Sequence, residues 1–211
     1  MTRSHRDAVA ALLERHGTTF AEQAGITLKD EPAPLYRLLV LTTLLSTRIS
    51  ADIAVGAARE LIGSDLGTPQ KMRDSSWRQR VAALGRGRYK RYDESTATRL
   101  GEGAQLVLDS YGGDLRRLRE ASGSADEVLK RLQEFPGIGP TGASIFAREV
   151  QGVWPSIAPV LDRKALDGAR RVGLPTDPGE LADLVAADDL PRLAAALVRA
   201  ALDKSAGDPL A

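Results

Sequence analysis

Glu127 to Val150 reads EVLKRLQEFPGIGPTGASIFAREV, and the fold turns on how its middle is read. Val128, Leu129, Leu132 and Phe135 recur at helical spacing, which predicts an amphipathic helix ending at Phe135. Pro136-Gly137-Ile138-Gly139-Pro140 breaks it. A second helix then runs from Thr141 to Val150. Pro140 suits its first position, where a missing N–H removes no hydrogen bond. The glycines let the turn bend sharply and leave amides bare of side chains. Free amides at a helix N-terminus, with the positive end of the helix dipole behind them, make a seat for phosphate. Ile138 is placed to plug the turn into the core between the two helices. The plainer alternative is a tight helical turn with a glycine hinge. The apolar helices on both sides and the Pro-Gly-Ile-Gly-Pro string favour the seat.

Gly137, Gly139 and Gly142 also satisfy the spacing G-x-G-x-x-G, and Asp162 follows Gly142 by 20 residues. That is a dinucleotide-binding fingerprint on paper. Its context argues against it. The fingerprint needs a strand before its first glycine, and Glu127 to Glu134 has the pattern of a charged amphipathic helix. A second strand before Asp162 would contain Pro155 and Pro159, which a buried strand tolerates poorly.

Outward from the hairpin, the chain reads as helices. Val9, Leu12, Leu13 and His16 share a face. Leu35 to Leu45 is apolar nearly all round, so it is expected to be a buried central helix. A helix from Ala51 to Ile62 is closed by Gly63. Thr68-Pro69 reads as a cap followed by a first-turn proline. A short helix from Trp77 to Leu84 ends at Gly85. Leu100, Ala104, Val107 and Tyr111 form a stripe ended by Gly112-Gly113. Leu190, Leu193, Ala194, Leu197, Val198 and Ala201 form another. No segment alternates with period two over a convincing length. The fold class expected is therefore all-α and two-lobed. Residues 34–135 form one lobe that includes the first hairpin helix, and residues 136–175 carry the hairpin and the aspartate segment. Residues 1–33 and 176–204 form the other lobe, and 205–211 a flexible tail.

Composition narrows the chemistry. The chain has 211 residues, 43% hydrophobic and 27% charged, which is ordinary globular material. There is no cysteine, which excludes thiol catalysis and cysteine-held metal or iron-sulfur sites. The two histidines, His5 and His16, lie near the start, which leaves little room for a histidine metal cage or a Ser-His-Asp triad. Carboxylates, hydroxyls, lysines and backbone remain. Net charge is only +1, but Arg78 to Arg99 gathers seven basic residues against Asp93 and Glu94. Within it Arg86, Arg88, Tyr89, Lys90, Arg91 and Tyr92 interleave cations with aromatics, a pattern that can grip phosphate and stack on a base. A solvated charged surface is the plainer reading of that run. The longest apolar run is interrupted by Arg37 and is too short to span a bilayer. The opening MTRSHRDAVA lacks an apolar signal core, so the expected location is the cytoplasm, with no membrane partner.

FPGIGPTGASIFAREV followed by WPSIAPVLDRKALDGARRVGLP resembles the helix-hairpin-helix DNA glycosylase superfamily, which includes endonuclease III and MutY. Leu44-Leu45-Ser46-Thr47-Arg48 is similar to that superfamily's segment in the central barrel helix, and Gly87 to Asp93 to its loop before the next long helix. The resemblance runs from about Pro34 to Pro175 and implies a DNA N-glycosylase of base-excision repair acting on double-stranded DNA, as a monomer. In bifunctional members the residue two after the second hairpin glycine is the Schiff-base lysine. Here it is Thr141, which cannot form an imine. Relatives of endonuclease III usually end in a four-cysteine iron-sulfur loop, and this chain has no cysteine. Both departures point to a branch without lyase activity or cluster, in which water is the nucleophile. No cofactor is expected, save a monovalent cation that the resemblance allows at the hairpin.

The same resemblance assigns Asp162 as the catalytic carboxylate. A carboxylate beside the anomeric carbon stabilises the positive charge that builds as the base leaves, and it can orient a water. A plain helix-capping role is the alternative. Asp167 and Glu149 are weaker substitutes, since both fit solvent-facing positions better. Gly137, Ile138, Gly139 and Thr141 would hold a backbone phosphate. Arg48 stands where relatives push a glutamine into the duplex, and it would fill the gap left by a base extruded from the stack. Arg88, Tyr89, Lys90, Arg163 and Lys164 would contact DNA. Leu45, Ser46, Thr141 and Ser144 would line the base pocket. A non-catalytic DNA clamp, and an abasic-site lyase using Lys164 or Lys130, are the other readings that the residues leave open.

Overall fold

A computed structural model describes residues 4–203 of the chain; the tail expected at 205–211 lies outside the described residues. Every regular element among them is helical. In chain order they are α1 (His5–His16), α2 (Phe20–Gln23), α3 (Pro32–Leu45), α4 (Ala51–Gly63), α5 (Pro69–Asp74), α6 (Trp77–Arg86) and α7 (Asp93–Tyr111). Then come α8 (Arg116–Glu120), α9 (Ala125–Leu132), α10 (Pro140–Val150), α11 (Arg163–Arg171), α12 (Pro178–Ala182) and α13 (Leu190–Leu202). None is long and apolar enough to cross a membrane.

Two compact units divide the chain. One runs from Ala21 to Phe146; the other comprises, among the described residues, 4–20 and 147–203. The division falls inside α10 rather than at residue 135, because α10 begins in one core and ends in the other.

In the first unit, α3 is the central helix. Leu35, Leu38, Leu41 and Leu44 are fully buried, and Leu39 and Val40 nearly so, so burial runs round most of the helix. Helices α4 and α7 pack on it, α6 packs on both of those, and α5 on α7. The caps follow their side chains. Ser50, Thr68 and Ser124 accept from backbone amides three residues on, and Ser76 with Gln79 closes a reciprocal capping box. Gly112 ends α7 in the left-handed region at φ +58°, as a helix-terminating glycine does. Gly87 is bare for another reason: a Cβ there would strike the backbone of Ala57, so the loop after α6 crosses α4 at closest approach.

Some ends differ from expectation. The helices expected to stop before Gly63 and Gly85 run through them to Gly63 and Arg86. Helix α9 stops at Leu132, not Phe135. Phe135 still reaches the core, at 3% exposure, from the turn, and lies 6.2 Å from the Tyr111 ring. Leu129, expected on the apolar stripe, is only half-buried.

In the second unit α13 is the spine. Leu193, Leu197 and four alanines are buried, with α1 and α11 packed against it. Gly168 sets the closeness of the α11 crossing, since a Cβ there would overlap the carbonyl of Leu197. Arg192 donates to the Gly17 carbonyl at 3.3 Å, and Arg199 to the His16 carbonyl at 2.6 Å, so the C-terminal helix caps the end of α1.

Candidate nucleic-acid interface

The hairpin between α9 and α10 is a type II turn. Ile138 donates its N–H to the Phe135 carbonyl at 3.0 Å, Pro136 takes the first central position, and Gly137 takes the second at φ +87°. Only glycine is at ease there. Ile138 is 3% exposed and anchors the turn in the core, as its place in the sequence predicted. Gly137, Gly139 and Thr141 are exposed, and their amides donate to nothing among the described residues. Three unspent N–H groups at the start of an 11-residue helix form a concentrated donor site for an anion. The carbonyls of Pro136, Gly137 and Ile138 likewise accept nothing among the described residues.

Ser46 and the start of α10 meet. The missing side chain of Gly142 leaves room for the Ser46 hydroxyl, which a Cβ at that position would overlap. Gly142 is therefore a packing glycine that the fingerprint spacing disguised. Leu45, Ser46 and Ser144 are half-buried and Thr141 is exposed. The hydroxyls of Ser46 and Ser144 donate to the Thr42 and Pro140 carbonyls of their own helices, so each offers an incoming base its lone pairs only.

The cationic segment does not act as one surface. Arg80 is buried and spends its guanidinium on the carbonyls of Ala97, Met72 and Ser75. Arg86 pairs with Glu60 at 2.9 Å. Tyr89, expected to stack on a base, is fully buried and unable to do so. Its hydroxyl lies 2.6 Å from Thr47 Oγ1 and donates to the Leu44 carbonyl at 3.4 Å. An aromatic ring between arginines and a lysine takes the core because, unlike the charged side chains beside it, it gains by leaving water. Tyr89 thereby ties the loop carrying Arg88 and Lys90 to the loop carrying Arg48. All three cations are exposed and have no acidic partner among the described residues.

Asp162 caps α11, accepting the Ala165 N–H on Oδ1 at 3.0 Å. Its Oδ2 accepts from Arg148 Nη1 at 2.6 Å, and the two side chains are 14% and 6% exposed. The aspartate is thus held by a cap and by a nearly buried ion pair that sequence did not foretell. Arg148 sits on α10 within the apolar run Ile145-Phe146-Ala147 and Val150, and its guanidinium also lies 5.9 Å from the Phe20 ring. Arg163 and Lys164 stand in the first turn of α11, exposed and without a partner among the described residues. Asp167 pairs with Arg170 at 3.2 Å, not with either of them. Glu149, expected to face solvent, is 2% exposed and accepts the Phe20 N–H at 3.4 Å. It serves the packing of α2.

Two solved structures match this arrangement of helices. The chain has the endonuclease III fold. One structure is a trapped covalent endonuclease III–DNA intermediate in an estranged-adenine complex; the other is a non-covalent endonuclease III–DNA complex. Each is 13% identical, with a TM-score of 0.51 over 92% of this chain and 85% of the other. No protein-family model and no curated protein matches the chain. The likeness is one of fold: every regular element among the described residues of this chain is helical.

Proposed function

We propose that the chain is a DNA N-glycosylase without lyase activity, which binds double-stranded DNA through the hairpin and hydrolyses the N-glycosidic bond of an extruded base. The observation that carries this is the presence, within one endonuclease III fold, of two prepared groups, one in each compact unit. One is a turn with three unspent amides. The other is a carboxylate locked by a cap and a guanidinium. Asp162 keeps one lone pair on each oxygen beyond those two bonds. That is enough to face a developing oxocarbenium charge and to orient a water. Thr141 offers no amine, so water adds to the anomeric carbon as the bond to the base breaks and the base departs. Arg48 fills the space of the lost base, and Arg88, Lys90, Arg163 and Lys164 hold phosphates. The three free carbonyls of the turn suit a monovalent cation, which would tighten the turn's hold on a phosphate. Affinity would then fall when potassium is replaced by tetramethylammonium at constant ionic strength.

Duplexes bearing uracil, thymine mismatches, alkylated purines or oxidised bases, incubated with excess enzyme, test the reading. Release of a base from at least one is expected, with a drop of about 10²-fold in Asp162→Asn. Binding without release from any of them would leave a DNA clamp instead. The ion pair to Arg148 is the observation that favours this second reading, since a neutralised acid has a sufficient structural role. A covalent adduct trapped by borohydride at an abasic site would point to Lys164 or Lys130 as a lyase amine.

A further inference from the structure

Arg99 is a cation held against the hairpin with no acidic partner among the described residues. It stands on α7, and its stem lies in a narrow apolar cleft with Tyr36, Leu39, Phe135 and Pro136. A Cβ at Gly137 would come within 2.8 Å of Arg99 Cδ and 3.6 Å of its Nε and Nη1. The guanidinium is therefore beside the turn. Glu102, three residues on, is exposed and suitably spaced for an ion pair along the helix, yet Arg99 has no hydrogen bond or ion pair with any described residue. Arg99 is half-buried as a residue, yet none of its guanidinium nitrogens is closed off from solvent, so the charge is open to an anion from outside.

We propose that Arg99 is a further ligand of the DNA phosphate seated on the hairpin, supplying the full charge that the amides of Gly137, Gly139 and Thr141 lack. This rests on the hairpin reading above. Backbone amides offer single, neutral donors. The guanidinium fork grips two oxygens of one phosphodiester and carries a whole positive charge. Gly137 then has two separate reasons to be glycine: its left-handed φ, and the arginine stem that lies where its side chain would go. The sequence concealed this, because Arg99 falls at the end of a basic run and 38 residues before Gly137.

Anisotropy of a short labelled, undamaged duplex, titrated between about 50 and 200 mM KCl, tests the proposal. Arg99→Leu keeps the apolar stem. It is expected to weaken binding about fivefold or more at low salt and to reduce the log–log salt slope by about 0.9, the loss of one phosphate contact. Arg99→Lys should keep the slope and lose only part of the affinity. A role confined to packing would move the melting temperature and leave the slope alone. A wild-type slope in Arg99→Leu overturns the proposal. If Arg99→Leu folds poorly, the slope of Arg99→Gln against Arg99→Lys makes the same decision. A wild-type protein that binds no duplex overturns the hairpin reading, and the role of Arg99 with it.

Discussion

Asp162 has structural duties that any chemical role must share. It caps α11 and anchors a guanidinium that has almost no water around it. Removing one partner of such a pair leaves the other charge buried and unmatched, at a cost of about 3 kcal/mol or more. Arg148→Met is therefore expected to destabilise the protein by about that amount in urea unfolding. Asp162→Asn should cost less, because asparagine still caps the helix and still accepts from Arg148. The double variant should be more stable than the sum of the two losses implies. If Arg148→Met costs under about 1 kcal/mol, the pair is not an anchor. The cap was legible in the sequence, because an aspartate before a helical stretch is a local signal. Arg148 was not. A pair joining residues 14 apart leaves no periodic trace, and an arginine inside an apolar run gives no hint of which acid it meets.

At the scale of the hairpin, the two turn glycines separate stability from binding. Gly137 has φ +87°, so Gly137→Ala carries left-handed strain of about 1–2 kcal/mol and also crowds Arg99. Gly139 is neither in the left-handed region nor near any atom that a Cβ would strike. Gly139→Ala should fold and melt like wild type. Its methyl group would nonetheless stand among the free amides, where a phosphate must approach. Duplex affinity is expected to fall about tenfold or more while the melting temperature holds within a degree or two. Unchanged affinity in Gly139→Ala would show that the amides are not the seat. The turn's outline was plain from Pro136 to Pro140, because proline and glycine act through the backbone and need no partner. The end of α9 was not plain. Phe135 continues the apolar spacing past the last helical residue, and burial from the turn satisfies the same spacing. Tyr89 misled for the converse reason: flanking charges describe a loop's exposed side chains, and only the packing of Thr47 and Leu44 shows which residue turns inward.

At the scale of the whole molecule, one compact unit is assembled from both ends of the described chain, and acid should loosen that closure first. His16 lies at the end of α1, where its carbonyl accepts from Arg199 of α13. A helix C-terminus by itself favours a charged imidazole. Burial opposes that charge, as do the guanidiniums of Arg15 and Arg199, and Asp203 compensates only in part, so the His16 pKa is lowered from its usual 6.5. The sign follows from linkage. Above 6.5 the ring is neutral whether the chain is folded or not, and its contribution is intact. As pH falls below 6.5 the unfolded chain takes up a proton that the folded chain resists, so stability declines until the folded ring also titrates. Urea unfolding from pH 8 down to about 5 should show this decline setting in near 6.5. His16→Gln removes the titration and keeps a polar side chain. It should flatten that part of the profile while leaving the steeper carboxylate-driven loss at lower pH, where Asp114, held low by its hydrogen bonds to Arg116, takes up its proton. An unchanged profile in His16→Gln would move the acid sensitivity away from the junction of α1 and α13.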